Sequence, residues 1–312
     1  MDGAVTSPLA ERLHAQFGNR VRFREPLSRH TSFRIGGPAD VWIEVATPAE
    51  IALLQQLAAA ERMALVVFGG GTNVLVSDAG IRGLVVKLGR PFAVIEWLAS
   101  GEQVQVRAGA AARFKRLVTE AAARGLSGLE FAEGIPGLIG GGLLMNAGAF
   151  GGEIANVITG VHGVDAAEGE RYLPRSALRF GYRFFDLPTG FVVTRVDFGL
   201  IPDDGAAIRG RIADAKRRRE THQPLGWPNA GSIFKNPPGG VAGRLIESVG
   251  MKGHRVGGAM VSERHANFIV NVGDATATHV KQLMDEIAET VWKERAIRLV
   301  PEIKLVGEWE TT

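Results

Sequence analysis

GIPGLIGGGLLMNAGAFGG, residues Gly134 to Gly152, holds eight glycines in nineteen positions and no charge. An uncharged run of this length is compatible with a membrane span. Pro136, Asn146 and the glycines argue against it, because they make a poor uninterrupted helix. The run reads better as backbone that must come close to something flat or anionic, since glycine permits positive φ and leaves no Cβ in a ligand's way. A second glycine loop follows the apolar run Ala64–Phe68: Gly69-Gly-Gly-Thr-Asn73. Two such loops in separate segments point to a large cofactor held by main-chain groups.

Outward from these loops, 312 residues are enough for about two domains with a substantial core. A hydrophobic content of 46% fits a globular chain. The net charge of +3 is too small to imply nucleic acid. With no cysteine there is no disulfide, thiolate metal site or cysteine nucleophile. The seven histidines show no metal-ligand spacing, so no metal is expected. The N-terminus, with Asp2 and Glu11 and no apolar core, lacks a visible secretory signal, so a cytoplasmic enzyme is expected.

Thr47-Pro-Ala-Glu50 predicts a helix start, with Thr47 as cap, Pro48 in the first turn and Glu50 completing a capping box. That helix should reach about Arg62. Strands are expected at 64–68, 84–88, 92–98, 103–108, 191–200, 267–271 and 303–306, with a turn at Ser100-Gly101. Helices are expected at 111–124, 206–219, 242–249 and 277–295. Pro202-Asp-Asp-Gly205 reads as a linker, which puts a domain boundary near 202. The division expected is therefore 1–201, in subdomains of about 1–69 and 70–201, and 202–312.

Gly69–Asn73 has neither the Walker A ending nor G-x-G-x-x-G spacing, so a Rossmann unit is disfavoured. It is an anion nest or an ordinary strand-to-strand turn. Arg179-Phe-Gly-Tyr-Arg-Phe184 sets Arg183 among aromatics, where a partly buried guanidinium needs an anionic or hydrogen-bonding partner. In Gly231-Ser-Ile-Phe-Lys-Asn-Pro237 an extended backbone would put Ser232, Phe234 and Asn236 on one face and Lys235 on the other. Glu302 and Lys304 would share one face of the last strand. The run Lys216-Arg-Arg-Arg219 reads as a solvated helix end suited to the C-terminal dipole.

Taken together, HTSFRIGG, FGGGTN, GIPGLIGGGLLMNAGAFGGE, FGYR, GSIFKNP, the AGRLIE, MKG, GGA and HANFIVN series, and PEIKLVG span roughly residues 30 to 307. In this order they closely resemble the UDP-N-acetylenolpyruvoylglucosamine reductases, the MurB flavoenzymes of peptidoglycan synthesis. The resemblance implies an α+β fold. Its FAD-binding region would be of the vanillyl-alcohol-oxidase (PCMH) type in two subdomains, followed by a C-terminal α+β substrate-binding domain. It implies non-covalent FAD, NADPH as co-substrate, and UDP-N-acetylglucosamine enolpyruvate as the sugar reduced to UDP-N-acetylmuramate. Hydride would pass from flavin N5 to C3 and a proton to C2. No nucleic acid, membrane insertion or obligate protein partner is expected. A flavin oxidase or dehydrogenase of the same fold acting on another small substrate is the alternative.

By the same resemblance Arg183, Glu302 and Ser232 would be catalytic. Arg183 and Glu302 would act on the substrate carboxylate, and Ser232 would protonate C2. Arg34, Gly69, Gly70, Gly71, Thr72, Asn73, Gly134, Ile135, Pro136, Gly137, Gly141, Gly142, Asn146, Ala147 and Gly148 would bind FAD. Tyr182, Lys235, Asn236, His265 and Lys304 would bind substrate. Leu138 stands where the family commonly has Thr or Ser, and Phe185 where it has serine. The segment from Arg183 to Val192 is short and lacks tyrosine. In this the chain resembles the subgroup without the tyrosine-bearing loop.

Overall fold

The computed structural model describes residues 7–100 and 103–309, so the turn expected at Ser100-Gly101 reaches outside the described residues. The chain opens with α1 (Ser7–Phe17), β1 (Val21–Pro26) and β2 (Pro38–Val45), then α2 (Pro48–Ala60), β3 (Leu65–Val67), β4 (Val74–Val76) and β5 (Ile81–Leu88). The first sheet has the order β1-β2-β5-β3, with β1 antiparallel to β2 and β5 parallel to both its neighbours. Leu84, Val85, Val86 and Leu88 of β5 are all buried. A strand with a partner on each side and both faces covered reads as a continuous apolar run rather than an alternating one.

Thr47 caps α2 by accepting the Glu50 N–H at 3.2 Å, with Pro48 in the first turn as expected. Glu50 does not close the capping box. Its carboxylate accepts the Ala46 N–H at 2.6 Å and pairs with Arg20 at 2.6 Å instead.

Next come β6 (Ile95–Ser100), β7 (Gln103–Gly109), α3 (Phe114–Ala123), β8 (Leu126–Ser127), α4 (Ile139–Leu144), β9 (Gly148–Ala149) and β10 (Gly152–Glu153). They are followed by β11 (Ile158–Asp165), β12 (Gly169–Pro174), the hairpin β13 (Arg179–Gly181) and β14 (Phe184–Asp186), β15 (Val192–Pro202) and α5 (Gly205–His222). The second sheet is antiparallel in the order β12-β11-β15-β7-β6, with β8 also pairing β15. One apolar cluster runs through both sheets, from Leu9 to Leu200.

The last part holds α6 (Ala242–Ser248), β16 (Arg255–Val256), β17 (Ala259–Val261), β18 (Ile269–Asn271), α7 (Ala277–Arg295) and β19 (Lys304–Val306). Val280, Leu283, Met284, Ile287 and Val291 form the buried stripe of α7 at helical spacing. This part has its own core, which also takes in Phe33, Ile35 and Leu75 from the start of the chain. β19 returns to pair in parallel with β4.

The packing supports boundaries other than those expected. β5 completes the first sheet, which favours a break after Leu88 over one near residue 69. α5 buries Ile208 and Ala215, and its Arg211 pairs with Glu130 at 2.7 Å and Asp203 at 2.6 Å. Pro202–Gly205 is therefore a strand end and helix cap inside the second lobe, with Asp204 capping α5. We propose three lobes, 7–88, 89–222 and 223–309.

Candidate active site

The two glycine loops pack directly on one another. A Cβ on Gly70 would sit 2.9 Å from the Gly137 Cα, so neither loop tolerates a side chain at this crossing. Gly71, at φ +63°, lies so close to the His30 carbonyl that only glycine fits. The N–H groups of residues 69 to 73 donate to no acceptor among the described residues. A Cβ on Gly141 would meet nothing within 4 Å. Most glycines of the 134–152 run, in contrast, are filled by protein. Phe114 occupies the space of a Gly142 Cβ, and Phe131 that of Gly152. Unpaired main-chain donors beside a glycine with an open face suit a phosphate or another anionic group.

The acidic and basic groups arrive from other segments of the chain. Arg183 sits in the two-residue loop between β13 and β14, at φ +54°. That conformation is uncommon for a bulky residue and is held here by tertiary contacts. Its Nε donates to the Glu302 carboxylate at 2.8 Å and one terminal nitrogen donates to the Gly148 carbonyl at 3.0 Å. Burial pushes the Glu302 carboxyl up from its ordinary range, against the opposing pull of Arg183 and Lys235. The Asn73 carboxamide donates to the Glu302 carbonyl at 3.2 Å, and the Glu302 N–H to the Ile233 carbonyl at 2.8 Å. Five segments thus meet: 69–73, 134–148, 181–184, 232–235 and 300–304.

Ser232 stands beside this junction, half-buried, with no hydrogen bond to its hydroxyl among the described residues. Asn267 fixes the segment after it. Its side chain accepts the Phe234 N–H at 3.0 Å and donates to the Phe234 carbonyl at 2.8 Å. Nothing in the spacing singled out Asn267; only its place in HANF, two residues past His265, could have. The alternation expected of 232–236 fails. Ile233 and Phe234 are both buried, and only an isolated bridge joins Phe234 to Pro301. Glu302 and Lys304 also differ from expectation. The strand begins at Lys304, whose side chain is exposed, while Glu302 turns inward before it.

Other candidate residues serve the protein itself. Asn146 is buried at φ +39°. Its carboxamide donates to the Gly181 carbonyl at 3.1 Å and accepts the Ala155 N–H at 3.0 Å. Its side chain thus holds the Arg183 hairpin. Ala147 uses its N–H and carbonyl in bonds to Gly142 and Ile154. Ile135 packs on the main core. The Pro136 carbonyl faces the Thr72 hydroxyl at a long 3.5 Å.

Arg34 is exposed between buried Phe33 and Ile35. Asn236 accepts the Ala242 N–H at the start of α6. His265 packs against α6, accepts the Asn267 N–H at 3.2 Å, and is kept neutral by burial, which lowers its pKa. Tyr182 is exposed, with its ring 5.2 Å from the Arg183 guanidinium carbon. Leu138 takes the cap position of α4 and leaves it without a side-chain cap, where a hydroxyl would supply one. Phe185 is buried and stacks on Phe180 at 4.6 Å, which gives the hairpin an apolar base. Among the described residues no cluster of metal-ligating side chains occurs, and no helix is long and apolar enough to cross a membrane.

Comparison with known proteins accounts for this arrangement. Residues 223–306 match the family model for the UDP-N-acetylenolpyruvoylglucosamine reductase C-terminal domain, and residues 39–172 match that of an FAD binding domain. The chain is 47% identical over 306 residues to UDP-N-acetylenolpyruvoylglucosamine reductase 2 of Symbiobacterium thermophilum, covering 96% of this chain and 97% of that one. It is 43% identical over 303 residues to the reductase of Moorella thermoacetica, covering 96% and 98%. The crystal structure of the reductase (MurB) from Thermus caldophilus matches with a TM-score of 0.77 at 37% identity, over 90% of this chain and 97% of that one. The unpaired donors of residues 69–73 and the open face of Gly141 are compatible with the FAD that such a domain binds. With its FAD-binding region, its C-terminal domain and full-length relatives all agreeing, the chain belongs to the UDP-N-acetylenolpyruvoylglucosamine reductase (MurB) family.

Proposed function

We propose that this protein reduces UDP-N-acetylglucosamine enolpyruvate to UDP-N-acetylmuramate with NADPH, a step of peptidoglycan precursor synthesis. The observation that carries the reading is the half-buried Arg183–Glu302 pair, 2.8 Å apart, set between the glycine loops and the Ser232 segment. FAD, held by the glycine loops, would supply the hydride chemistry between the nicotinamide and the alkene. The protein's own groups do the rest. Arg183 spends Nε on Glu302 and one terminal nitrogen on Gly148, which leaves the other terminal nitrogen for the substrate carboxylate. Hydride addition at C3 builds negative charge at C2 and the adjoining carboxylate. A fixed cation there stabilises that charge. Glu302, favoured in its neutral form by burial, can donate to the carboxylate rather than repel it.

The Ser232 hydroxyl, which has no hydrogen bond among the described residues, gives the proton to C2 in this reading. Serine is a weak acid, so Lys235, whose charge is felt at Glu302, must assist it. The alternative, a flavin oxidase with another small substrate, leaves residues 223–306 and the Ser232–Glu302 junction without a purpose. Stopped-flow absorbance separates the two half-reactions and tests the proposal. Arg183→Ala and Ser232→Ala should be reduced by NADPH at near-normal rates. Reoxidation by the enolpyruvyl sugar should slow by on the order of 10²–10⁴ in Ser232→Ala, with Ser232→Cys recovering part of it. Wild-type reoxidation rates in Ser232→Ala would remove serine from the proton step.

A further inference from the structure

Lys87 is a half-buried cation that passes over its nearest carboxylate. On β5 it stands in register with Glu44 of β2, a cross-strand position where an ion pair could form. Among the described residues it has no salt bridge, and Glu44 acts on it only at longer range. Its Nζ lies 5.9 Å from the centre of the Trp42 ring and donates to the Gly69 carbonyl at 3.3 Å. Burial lowers its pKa, and Arg113 pushes the same way. Arg113 is bridged through its backbone to Leu138 of the second glycine loop. Each glycine loop thus has one cation attached to it, and the loops cross at Gly70 and Gly137. Two like charges gathered there are costly unless an anion answers them.

The choice of acceptor gives this bond its meaning. The Gly69 carbonyl and the Gly70 N–H belong to one peptide group, and that N–H is among the unpaired donors of the loop. No described peptide bond is cis, so the oxygen and the N–H point in opposite directions. A cation fixed on the oxygen therefore sets where the N–H points. It also polarises the peptide and strengthens the N–H as a donor. Gly69 itself faces Gly141, whose own outer face is open.

We propose that Lys87 is a positioning residue for FAD, aiming the Gly70 N–H and lending its charge to hold a phosphate of the dinucleotide. The proposal rests on the FAD-binding match of residues 39–172 and not on the identity of the sugar. Its failure and that of the reaction given above are therefore distinguishable.

Purified holoprotein, Lys87→Met, Lys87→Gln and Lys87→Arg are compared, with far-UV circular dichroism as the check on folding. Each is diluted in series and ultrafiltered, and the flavin in the filtrate gives the dissociation constant. Lys87→Met should weaken FAD binding about tenfold at low salt. Lys87→Gln can still donate to the carbonyl but carries no charge, so it should weaken binding nearly as much. Lys87→Arg should recover part of the loss. From about pH 8 to about 10 the wild type should lose affinity relative to Lys87→Arg, because the ammonium sheds its proton there and a guanidinium does not. Glu44 and Arg113, the charged groups facing Lys87 from β2 and the start of α3, keep their charge across this range in every variant. A folded Lys87→Met or Lys87→Gln protein within about twofold of wild type overturns the proposal. So does a Lys87→Arg protein that recovers nothing, since the loss would then be one of packing. If neither neutral variant folds, a pH profile of the wild type that runs parallel to that of Lys87→Arg overturns it.

Discussion

Glu302 and Asn146 show how single side chains set this site. Glu302 has a raised pKa because burial outweighs the nearby cations. A group raised on folding stabilises the fold below its unfolded value, about 4.3, and that contribution is lost as pH rises through the folded value. Glu302→Gln, which imitates the neutral carboxyl, should therefore gain on wild type in melting temperature as pH rises from about 4. Parallel melting curves across the acid-to-neutral range check this, and a constant difference would contradict it. Asn146→Ala strands the Gly181 carbonyl and the Ala155 N–H and forces alanine to a positive φ. The expected loss is about 2–3 kcal/mol in urea unfolding. Flavin content of the folded fraction should stay the same, because this carboxamide faces the hairpin.

Elements are locked together by caps that cross the chain. Thr276 and His279 form a reciprocal capping box at the start of α7. Asp78, from the loop before β5, accepts the Ala277 and Thr278 N–H groups at 2.8 and 2.9 Å and the Thr278 hydroxyl at 2.8 Å. A carboxylate on the N-terminus of a helix also meets the positive end of its dipole. Asp78→Ala should cost about 1–2 kcal/mol, seen as faster hydrogen exchange in the first turn of α7. Asp78→Asn should keep much of the capping. Hydrogen exchange confined to the 69–80 loop, with α7 unchanged, would show that Asp78 is dispensable to the helix.

Across the whole molecule the last lobe is not independent. Phe33, Ile35 and Leu75 lie in its core, Ser32 donates to the Asn229 carbonyl at 2.6 Å, and β19 completes a two-stranded sheet with β4. A chain ending at residue 300 would lose Glu302 and β19 and leave Leu75 and Ile303's neighbours without cover. It should unfold at lower temperature, in a broader transition by scanning calorimetry, and lose the Arg183 partner. Residues 223–312 alone should give the dispersionless amide spectrum of an unfolded chain. A well-dispersed spectrum would show that Phe33, Ile35 and Leu75 are optional to that core.

The elements with strong local signals were legible in the residues themselves: Thr47 and Pro48 opening α2, the apolar stripe of α7, and the Val-rich β15. Helical period and cap chemistry act within a few residues, so one sequence suffices to find them. The family was legible from the order of the glycine and polar motifs. What only the tertiary structure decided is which glycines have an open face and which face Phe114, Phe131 or Arg219, because a missing Cβ looks the same in sequence in either case. The same holds for Asn146 and Glu302. Each owes its role to a partner far away along the chain, as in Arg183 meeting Glu302 across 119 positions. Burial and electrostatics are set by such long-range contacts, and no local pattern encodes them.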